Sequence, residues 1–131
     1  MELFQHVIGG SEVPSMDGQT MPDIDPYTQE QWADVALGGP ADADKAVAAA
    51  RDAFDNGLWP RMGFDKRHKI LHAFADLMDE HAHELAMADT RDMGKPNTQA
   101  LHDAARSSWN VRFFADLALM SMADTYPMDS G

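Results

Sequence analysis

The spacing of hydrophobic residues changes character near residue 38 of the chain. Before that point, short apolar segments alternate with turn signals. His6-Val7-Ile8 and Ser11-Glu12-Val13 flank Gly9-Gly10, an arrangement typical of a β-hairpin. Thr20 to Ile24 and Gln31 to Leu37 are also extended in character. The pattern therefore predicts short β-strands and a hairpin over about 3–37.

Helical periodicity replaces this pattern in the rest of the chain. Apolar residues recur every three to four positions over about 42–55, 65–93 and 97–122, which predicts three long α-helices. Pro40 and Pro96 stand ahead of the first and third helices, and Gly94 ends the second. The apolar faces of the last two predicted helices include Ile70, Leu71, Phe74, Leu77, Met78, Leu85, Ala88, Leu101, Ala105, Trp109, Phe113, Leu117 and Met120.

The predicted elements do not form a closed unit. Extended segments carry backbone hydrogen-bond groups that need partners, and long amphipathic helices need a surface to cover. No crossover strand of a parallel sheet follows the helices, although another strand could begin near Met128. We therefore expect residues 1–131 to be part of a larger α/β fold, an incomplete Rossmann-like domain.

The chain is strongly acidic, with 22 Asp and Glu against 10 Lys and Arg and a net charge of −12. Such a surface repels phosphate groups, so we expect no nucleic-acid and no membrane partner. No apolar run reaches the roughly 20 residues that span a bilayer. The first eight residues lack the features of a signal peptide, which favours a cytoplasmic location.

Two histidines one helical turn apart, His68 and His72, suggest a metal site. Asp76 follows at the same spacing, so the three side chains would line one helix face with ligands that suit zinc. The alternative is ordinary exposed pairs, His72 with Asp76 and Asp79 with His83, each worth roughly 0.2–0.5 kcal/mol. The exposed pairs are the favoured interpretation, because this face lies away from the apolar stripe.

Several short segments follow one another in an order that carries a family signal. They are Val7-Ile8-Gly9-Gly10, Met21-Pro22-Asp23-Ile24-Asp25-Pro26, Val35-Ala36-Leu37-Gly38, Ala46 to Phe54, Trp59-Pro60-Arg61-Met62, Ala75-Asp76-Leu77-Met78, Asp92-Met93-Gly94-Lys95-Pro96 and Arg112-Phe113-Phe114-Ala115. In this order they resemble the N-terminal segment of the aldehyde dehydrogenase superfamily. Three segments look most like the hydroxymuconic semialdehyde dehydrogenases, of the 5-carboxymethyl-2-hydroxymuconate semialdehyde dehydrogenase type: the Asp-Met-Gly-Lys-Pro run, the Asp23-Ile24-Asp25-Pro26 start and residues 123–131.

The resemblance implies that residues 1–131 are the N-terminal part of a cofactor-binding domain. The complete enzyme would use NAD or NADP to oxidise 5-carboxymethyl-2-hydroxymuconate or 2-hydroxymuconate semialdehyde to the acid in aromatic catabolism. In this family a cysteine attacks the aldehyde and a glutamate activates water. The chain has no cysteine and no Gly-x-Gly-x-x-Gly turn. We therefore predict no catalytic and no cofactor-binding residue here, no cofactor bound by this chain alone, and no activity alone.

Two candidate sites come from the same resemblance. Arg106 is implied as a substrate-entrance residue, because a guanidinium binds a carboxylate bidentately; the alternative is a solvated arginine paired with Asp103 or Asp92. Asp23, Ile24 and Asp92 match positions at which some family members bind a structural monovalent cation through oxygen ligands. The alternative there is an ion pair of Asp92 near a helix end.

The expected partners are the remainder of the enzyme or a second copy in a homo-oligomer, together with a small semialdehyde substrate. Two other functions stay open at this point. One is a stand-alone, non-catalytic interaction or oligomerisation module derived from such an enzyme. The other is an unrelated helical domain whose likeness to the family is accidental.

Overall fold

The computed structural model describes residues 2–120 and has a mixed α/β architecture, with the strands first and the helices after them. The elements are β1 (Glu2–Phe4), β2 (His6–Ile8), β3 (Ser11–Val13), β4 (Thr20–Ile24), β5 (Gln31–Ala36), α1 (Pro40–Asp55), α2 (Phe64–Glu80), α3 (Ala82–Met93) and α4 (Asn97–Met120). A short 3-10 turn, Trp59–Arg61, precedes α2. The predicted α/β class is confirmed. Residues 123–131, on which part of the resemblance rests, lie outside the described range.

The first two paired strands form the predicted hairpin. β2 and β3 are antiparallel, with His6 opposite Val13 and Ile8 opposite Ser11. Gly9 and Gly10 have φ values of +62° and +79°, in the left-handed region that a tight hairpin turn requires and that glycine adopts without steric cost. The hairpin prediction from the sequence is therefore confirmed.

The remaining strands form a three-stranded sheet in the order β1-β5-β4. β1 runs parallel to the central strand β5, and β4 runs antiparallel to it with a bulge between Asp23 and Ile24. Ala33 and Ala36 of β5 are buried. Phe4 and Trp32 meet edge to face, with ring centroids 5.5 Å apart. The central strand β5, the longest of the described strands, thus pairs with both edge strands.

Helices α2 and α3 are one helix in the prediction and two in the structure. The chain leaves helical geometry at His81, with φ −99° and ψ 15°, and resumes it at Ala82. Both α2 and α3 pack against α4. The break between them lets each of the two helices lie along α4. The sequence around His81 contains no proline or glycine, so its periodicity gives no sign of the interruption.

Helices α2, α3 and α4 pack against one another through small side chains. Side-chain contacts pair His68 with Asp116 and Asp79 with Ser108, so α4 runs antiparallel to α2. The buried small residues of the three helices, which we call the inner seam, are Ala75, Ala86, Ala100, Ser108 and Ala115. Among residues 2–120, every buried hydrophobic residue is an alanine. Within the same range, no helix is long and apolar enough to cross a bilayer.

Many of the larger apolar residues of α2 and α4 are exposed. We call six of them the outer apolar faces: Ile70, Phe74, Leu77, Trp109, Phe113 and Leu117. Trp109 stacks on Phe113, with ring centroids 5.5 Å apart, but its residue is 61% exposed. The periodicity located these faces correctly. It did not show that, within the described chain, the helices would pack through alanine and leave the aromatic side chains uncovered.

Candidate functional site

Arg106 lies near the middle of α4, where it is exposed and paired with an acidic neighbour. Its Nη2 donates a hydrogen bond to Asp103 Oδ1 at 2.9 Å, and its side chain is 70% exposed. Asp103 also binds Lys95 at 3.2 Å, and Lys95 binds Asp89 at 2.6 Å. The pairing of Arg106 with Asp103, one of the two alternatives that the sequence left open, is therefore present.

The charged groups next to Arg106 stabilise each other's ionised forms. The hydrogen bond from Lys95 holds the pKa of Asp103 below its ordinary value, and those that Lys95 donates to Asp89 and Asp103 raise the pKa of Lys95. A guanidinium carries five N–H donors, and Asp103 accepts from one terminal nitrogen of Arg106. The arrangement anchors Arg106 at one edge and leaves most of its surface in solvent.

The three candidate cation ligands lie on two elements that approach each other. Asp23 is half-buried on β4, opposite Ala33, and Ile24 follows at the bulge. Asp92 is exposed in the last turn of α3. The structure brings the end of α3 against the loop after Ile24, because a Cβ atom placed on Gly94 would be 2.9 Å from Cγ of Pro26.

The two predicted zinc-face histidines have a different carboxylate partner from the one expected. His68 Nε2 and His72 Nε2 lie 2.7 and 2.8 Å from the same atom, Oδ1 of Asp116 on α4. These hydrogen bonds lower the pKa of Asp116. Asp76 instead accepts a 2.6 Å hydrogen bond from Arg112. The predicted pair of His72 with Asp76 is thus wrong, since both side chains turn towards α4.

A second polar cluster crosses the inner seam and was not predicted. Arg112 Nη2 lies 2.6 Å from Asp76 Oδ1 and 2.7 Å from Asp79 Oδ2. The buried hydroxyl of Ser108 donates a short hydrogen bond to Asp79. The hydrogen bonds from Ser108 and Arg112 lower the pKa of Asp79. These partners are far apart in sequence, so no local spacing could have revealed them.

A third polar contact, also missed from the sequence, joins the strand region to α1. Asp42, in the first turn of the helix, is buried and accepts hydrogen bonds from the backbone N–H groups of Gly39 and Met16, each at 2.9 Å. The Gly39 N–H lowers the pKa of Asp42 more than burial raises it. Asp42 lies at the start of the first predicted helix, but its partner at Met16 is 26 residues away, so local sequence gave no sign of the contact.

Comparison with known proteins decides the family. The sequence profile of the aldehyde dehydrogenase family matches residues 13–131. The chain belongs to the aldehyde dehydrogenase family. An unrelated helical domain is thereby excluded, and the predicted resemblance to the aldehyde dehydrogenase superfamily is confirmed.

Individual members of the aldehyde dehydrogenase family match nearly the whole chain. It is 44% identical over 126 residues to aldehyde dehydrogenase 1 of Tanacetum cinerariifolium, with 94% of this chain and 25% of that protein covered. The structure of an aldehyde dehydrogenase from Bacillus cereus, a G224D mutant, superposes with a TM-score of 0.91 at 33% identity, covering 98% of this chain and 26% of that one. An NAD-dependent aldehyde dehydrogenase from Sinorhizobium meliloti gives a TM-score of 0.87 at 30% identity, with 92% and 24% covered. The chain therefore spans about a quarter of the length of these relatives.

Aldehyde dehydrogenases use a nicotinamide cofactor, whose phosphates need a binding site in the protein. A phosphate-binding turn joins a strand to the N-terminus of a helix through a glycine-rich loop. Gly9 and Gly10 instead join β2 to β3. Gly38 and Gly39 link β5 to α1, but Asp42 already accepts a hydrogen bond from the Gly39 N–H and places negative charge at that helix start. The residues present do not fit a dinucleotide, and no step of catalysis is assigned to them.

Proposed function

We propose that this chain is the N-terminal part of an NAD(P)-dependent aldehyde dehydrogenase located in the cytoplasm. One observation carries the proposal: 98% of the chain superposes on 26% of a complete family member with a TM-score of 0.91. The nucleophile, the general base and the nucleotide-binding turn would come from the rest of such an enzyme. Residues 1–131 would supply scaffold, one edge of the substrate entrance and surface for an oligomer.

The outer apolar faces support a role as part of a larger assembly. Phe74 is 52% exposed, Leu77 55% and Trp109 61%. Covering apolar surface contributes about 25 cal/mol per Å², so faces of this kind are stabilised by burial against another part of the protein. The strands β1 and β4 at the sheet edges have backbone groups that further strands could pair with.

The substrate we propose is a semialdehyde that carries carboxylates, 5-carboxymethyl-2-hydroxymuconate or 2-hydroxymuconate semialdehyde. Support comes from the resemblance of Asp92-Met93-Gly94-Lys95-Pro96 to enzymes of aromatic catabolism. The exposed guanidinium of Arg106, held at one edge by Asp103, has donors left for a substrate carboxylate. Arg106 would then guide the anionic substrate into the entrance.

The function is tested by assaying the gene product that contains residues 1–131 beside the 131-residue chain alone. We expect the complete enzyme to reduce NAD or NADP with the semialdehyde, and the chain alone to give no change in absorbance of the reduced cofactor. Aldehyde oxidation by the chain alone would contradict the assignment of the reacting groups to another part of the protein. A product with no oxidation activity that binds an aldehyde dehydrogenase would favour the non-catalytic module.

The role of Arg106 is tested in the complete enzyme by Arg106→Ala. We expect a higher KM for the carboxylated semialdehyde and an unchanged KM for an uncharged aldehyde. The matched control is Arg51→Ala, because the side chain of Arg51 is equally exposed and pairs with Asp55, about one helical turn away. An unchanged KM for the carboxylated substrate in Arg106→Ala would rule out this role.

We also propose that Asp23, Ile24 and Asp92 contribute oxygen ligands to a structural monovalent cation. The proposal is supported by the approach of the α3 end to the loop after Ile24 at Gly94 and Pro26. We expect the thermal midpoint of the complete enzyme to rise when Na⁺ or K⁺ replaces a bulky organic cation at equal ionic strength. Asp92→Asn should reduce that rise, and an equal rise in both proteins would exclude Asp92 as a ligand.

A further inference from the structure

Two histidines of α2 and one aspartate of α4 converge on a single point. Oδ1 of Asp116 lies 2.7 Å from Nε2 of His68 and 2.8 Å from Nε2 of His72. The imidazole ring centroids are 4.2 Å apart. The histidine side chains are 26% and 32% exposed and that of Asp116 is 59% exposed, so solvent reaches the cluster.

The three side chains bring their ligand atoms close enough together to bind one metal ion. Positions four apart on a helix lie on the same face, so α2 presents both rings in one direction. One ligand atom from each of the three residues lies within 4.8 Å of the others, and among residues 2–120 no other group of three His, Cys, Asp or Glu meets that condition. Two imidazole nitrogens and one carboxylate oxygen are ligands that Zn²⁺ and similar divalent ions prefer.

The observed distances fit a metal after a small adjustment. Bonds from zinc to nitrogen and oxygen are about 2.0–2.2 Å, so two ligand atoms of a tetrahedral ion are roughly 3.3 Å apart. The present N···O separations are 2.7 and 2.8 Å. An outward movement of about half an ångström per ligand atom makes room for the ion. Partly exposed side chains achieve this by rotation, without a backbone change.

Charge around the cluster also favours a cation. The chain has a net charge of −12. Arg112, one helical turn before Asp116, is compensated by Asp76 and Asp79, at 2.6 and 2.7 Å. Asp116 itself supplies a full negative charge to the ligand set. A divalent ion would replace the two hydrogen bonds between the histidines and Asp116 with coordinate bonds and link α2 to α4.

We propose that His68, His72 and Asp116 form a binding site for a divalent transition-metal ion of the zinc type, with a fourth position for water. The site joins α2 to α4 on the surface of the helical layer. It is separate from the monovalent-cation ligands proposed above, which lie on β4 and α3, and it does not depend on the oxidation activity.

The test is a Co²⁺ titration of the purified 131-residue chain. Calorimetry measures the affinity and stoichiometry, and the visible absorption of the bound ion reports its coordination. We expect one Co²⁺ per chain with the absorption of a tetrahedral site. His68→Ala and Asp116→Asn should each weaken binding at least roughly tenfold, the lower limit for losing even an outer-shell partner. The matched control is His102→Ala, which removes an exposed histidine of α4 and should bind as the parent does.

A second measurement needs no variant. Zn²⁺ should shift the side-chain nitrogen NMR signals of His68 and His72 and leave those of His81 and His102 unchanged. Circular dichroism establishes that each variant keeps its helices. The proposal is overturned if the parent binds Co²⁺ no more tightly than His68→Ala, if His102→Ala loses as much affinity, or if Zn²⁺ leaves the signals of His68 and His72 in place.

Discussion

The inner seam and the outer apolar faces of the same helices are built in opposite ways. The seam contains alanine and Ser108 and is reinforced by the Arg112 cluster and the pair of histidines on Asp116. The outer apolar faces carry large side chains such as Phe74 and Trp109, yet they are exposed. Small side chains let two helices approach closely, and polar contacts at their edges fix the register.

The difference indicates which contacts stabilise the chain alone and which require surface from outside residues 2–120. Contacts within the seam are complete in the described chain, since its buried residues are covered by neighbouring helices. Contacts of the outer apolar faces depend on surface that residues 2–120 do not provide. Substitutions in the seam should therefore alter the folding of this chain by itself, and substitutions on the outer faces should matter mainly in the complete enzyme.

In the chain alone, the most disruptive change should be Ala115→Leu in the seam. Ala115 is 1% exposed, so a larger side chain would force α4 away from its partners and destabilise the chain by about 1–3 kcal/mol. Ala105→Leu is the control, because Ala105 is exposed on the same helix and the helix propensities change equally. Urea unfolding followed by circular dichroism measures both. Equal losses of stability would show that the seam is not closely packed.

A smaller effect is expected for Ser108→Ala. The change removes the hydrogen bond to Asp79 from a residue that is 2% exposed, at a cost of about 1 kcal/mol in the free energy of unfolding. The neighbouring Ser107→Ala removes an exposed hydroxyl that bonds to the Asp103 carbonyl, and should stay within roughly 0.5 kcal/mol of the parent. The same urea titration compares the two. A larger loss in Ser107→Ala would contradict the assignment.

The pH dependence of stability tests the seam charges. Because Ser108 and Arg112 lower the pKa of Asp79 in the folded chain, its contribution is present above its unfolded pKa of about 4 and disappears as the pH falls through the folded value. Thermal midpoints of the parent and of Asp79→Asn should therefore differ at pH 7 and converge as the pH falls through the folded pKa of Asp79. Glu80→Gln, an exposed neighbour, serves as the control for loss of one charge. A constant difference across this range would contradict the prediction.

The smallest effect on the chain alone should come from the outer apolar faces. Phe74→Ala should change the free energy of unfolding of the 131-residue chain by less than about 1 kcal/mol. The same substitution should reduce the binding of a hydrophobic dye to the chain. In the complete enzyme the same change should cost about 3–5 kcal/mol if the rest of the protein covers Phe74. Equal costs in both settings would show that Phe74 stays exposed throughout.

Much of the architecture could be predicted from local sequence. Gly9-Gly10 specified the hairpin because both positions need positive φ, and Pro40 and Gly94 marked helix ends through rules that act within a few residues. The break at His81 could not be predicted, since it arises from packing of α2 and α3 on α4 rather than from a helix-breaking residue.

The candidate sites show the same division. The i, i+4 spacing of His68 and His72 correctly placed both rings on one face, but their third partner, Asp116, is 44 residues beyond His72 and only the fold brings it there. Arg106 and Asp103, three apart on α4, were within the reach of sequence reasoning and do pair. Periodicity also identified the apolar faces, but it carries no information about which neighbour covers them.

Gly94 determines how much sequence variation its motif can accept. Its φ of +70° and the 2.9 Å approach of a built Cβ to Pro26 exclude a side chain at this position without moving α3 from the strand region. Met93, one position earlier, is 61% exposed. Substitution should therefore be readily tolerated at residue 93 and selected against at residue 94. The turn between α3 and α4 therefore has room for a different side chain on its Met93 side and none on its Gly94 side.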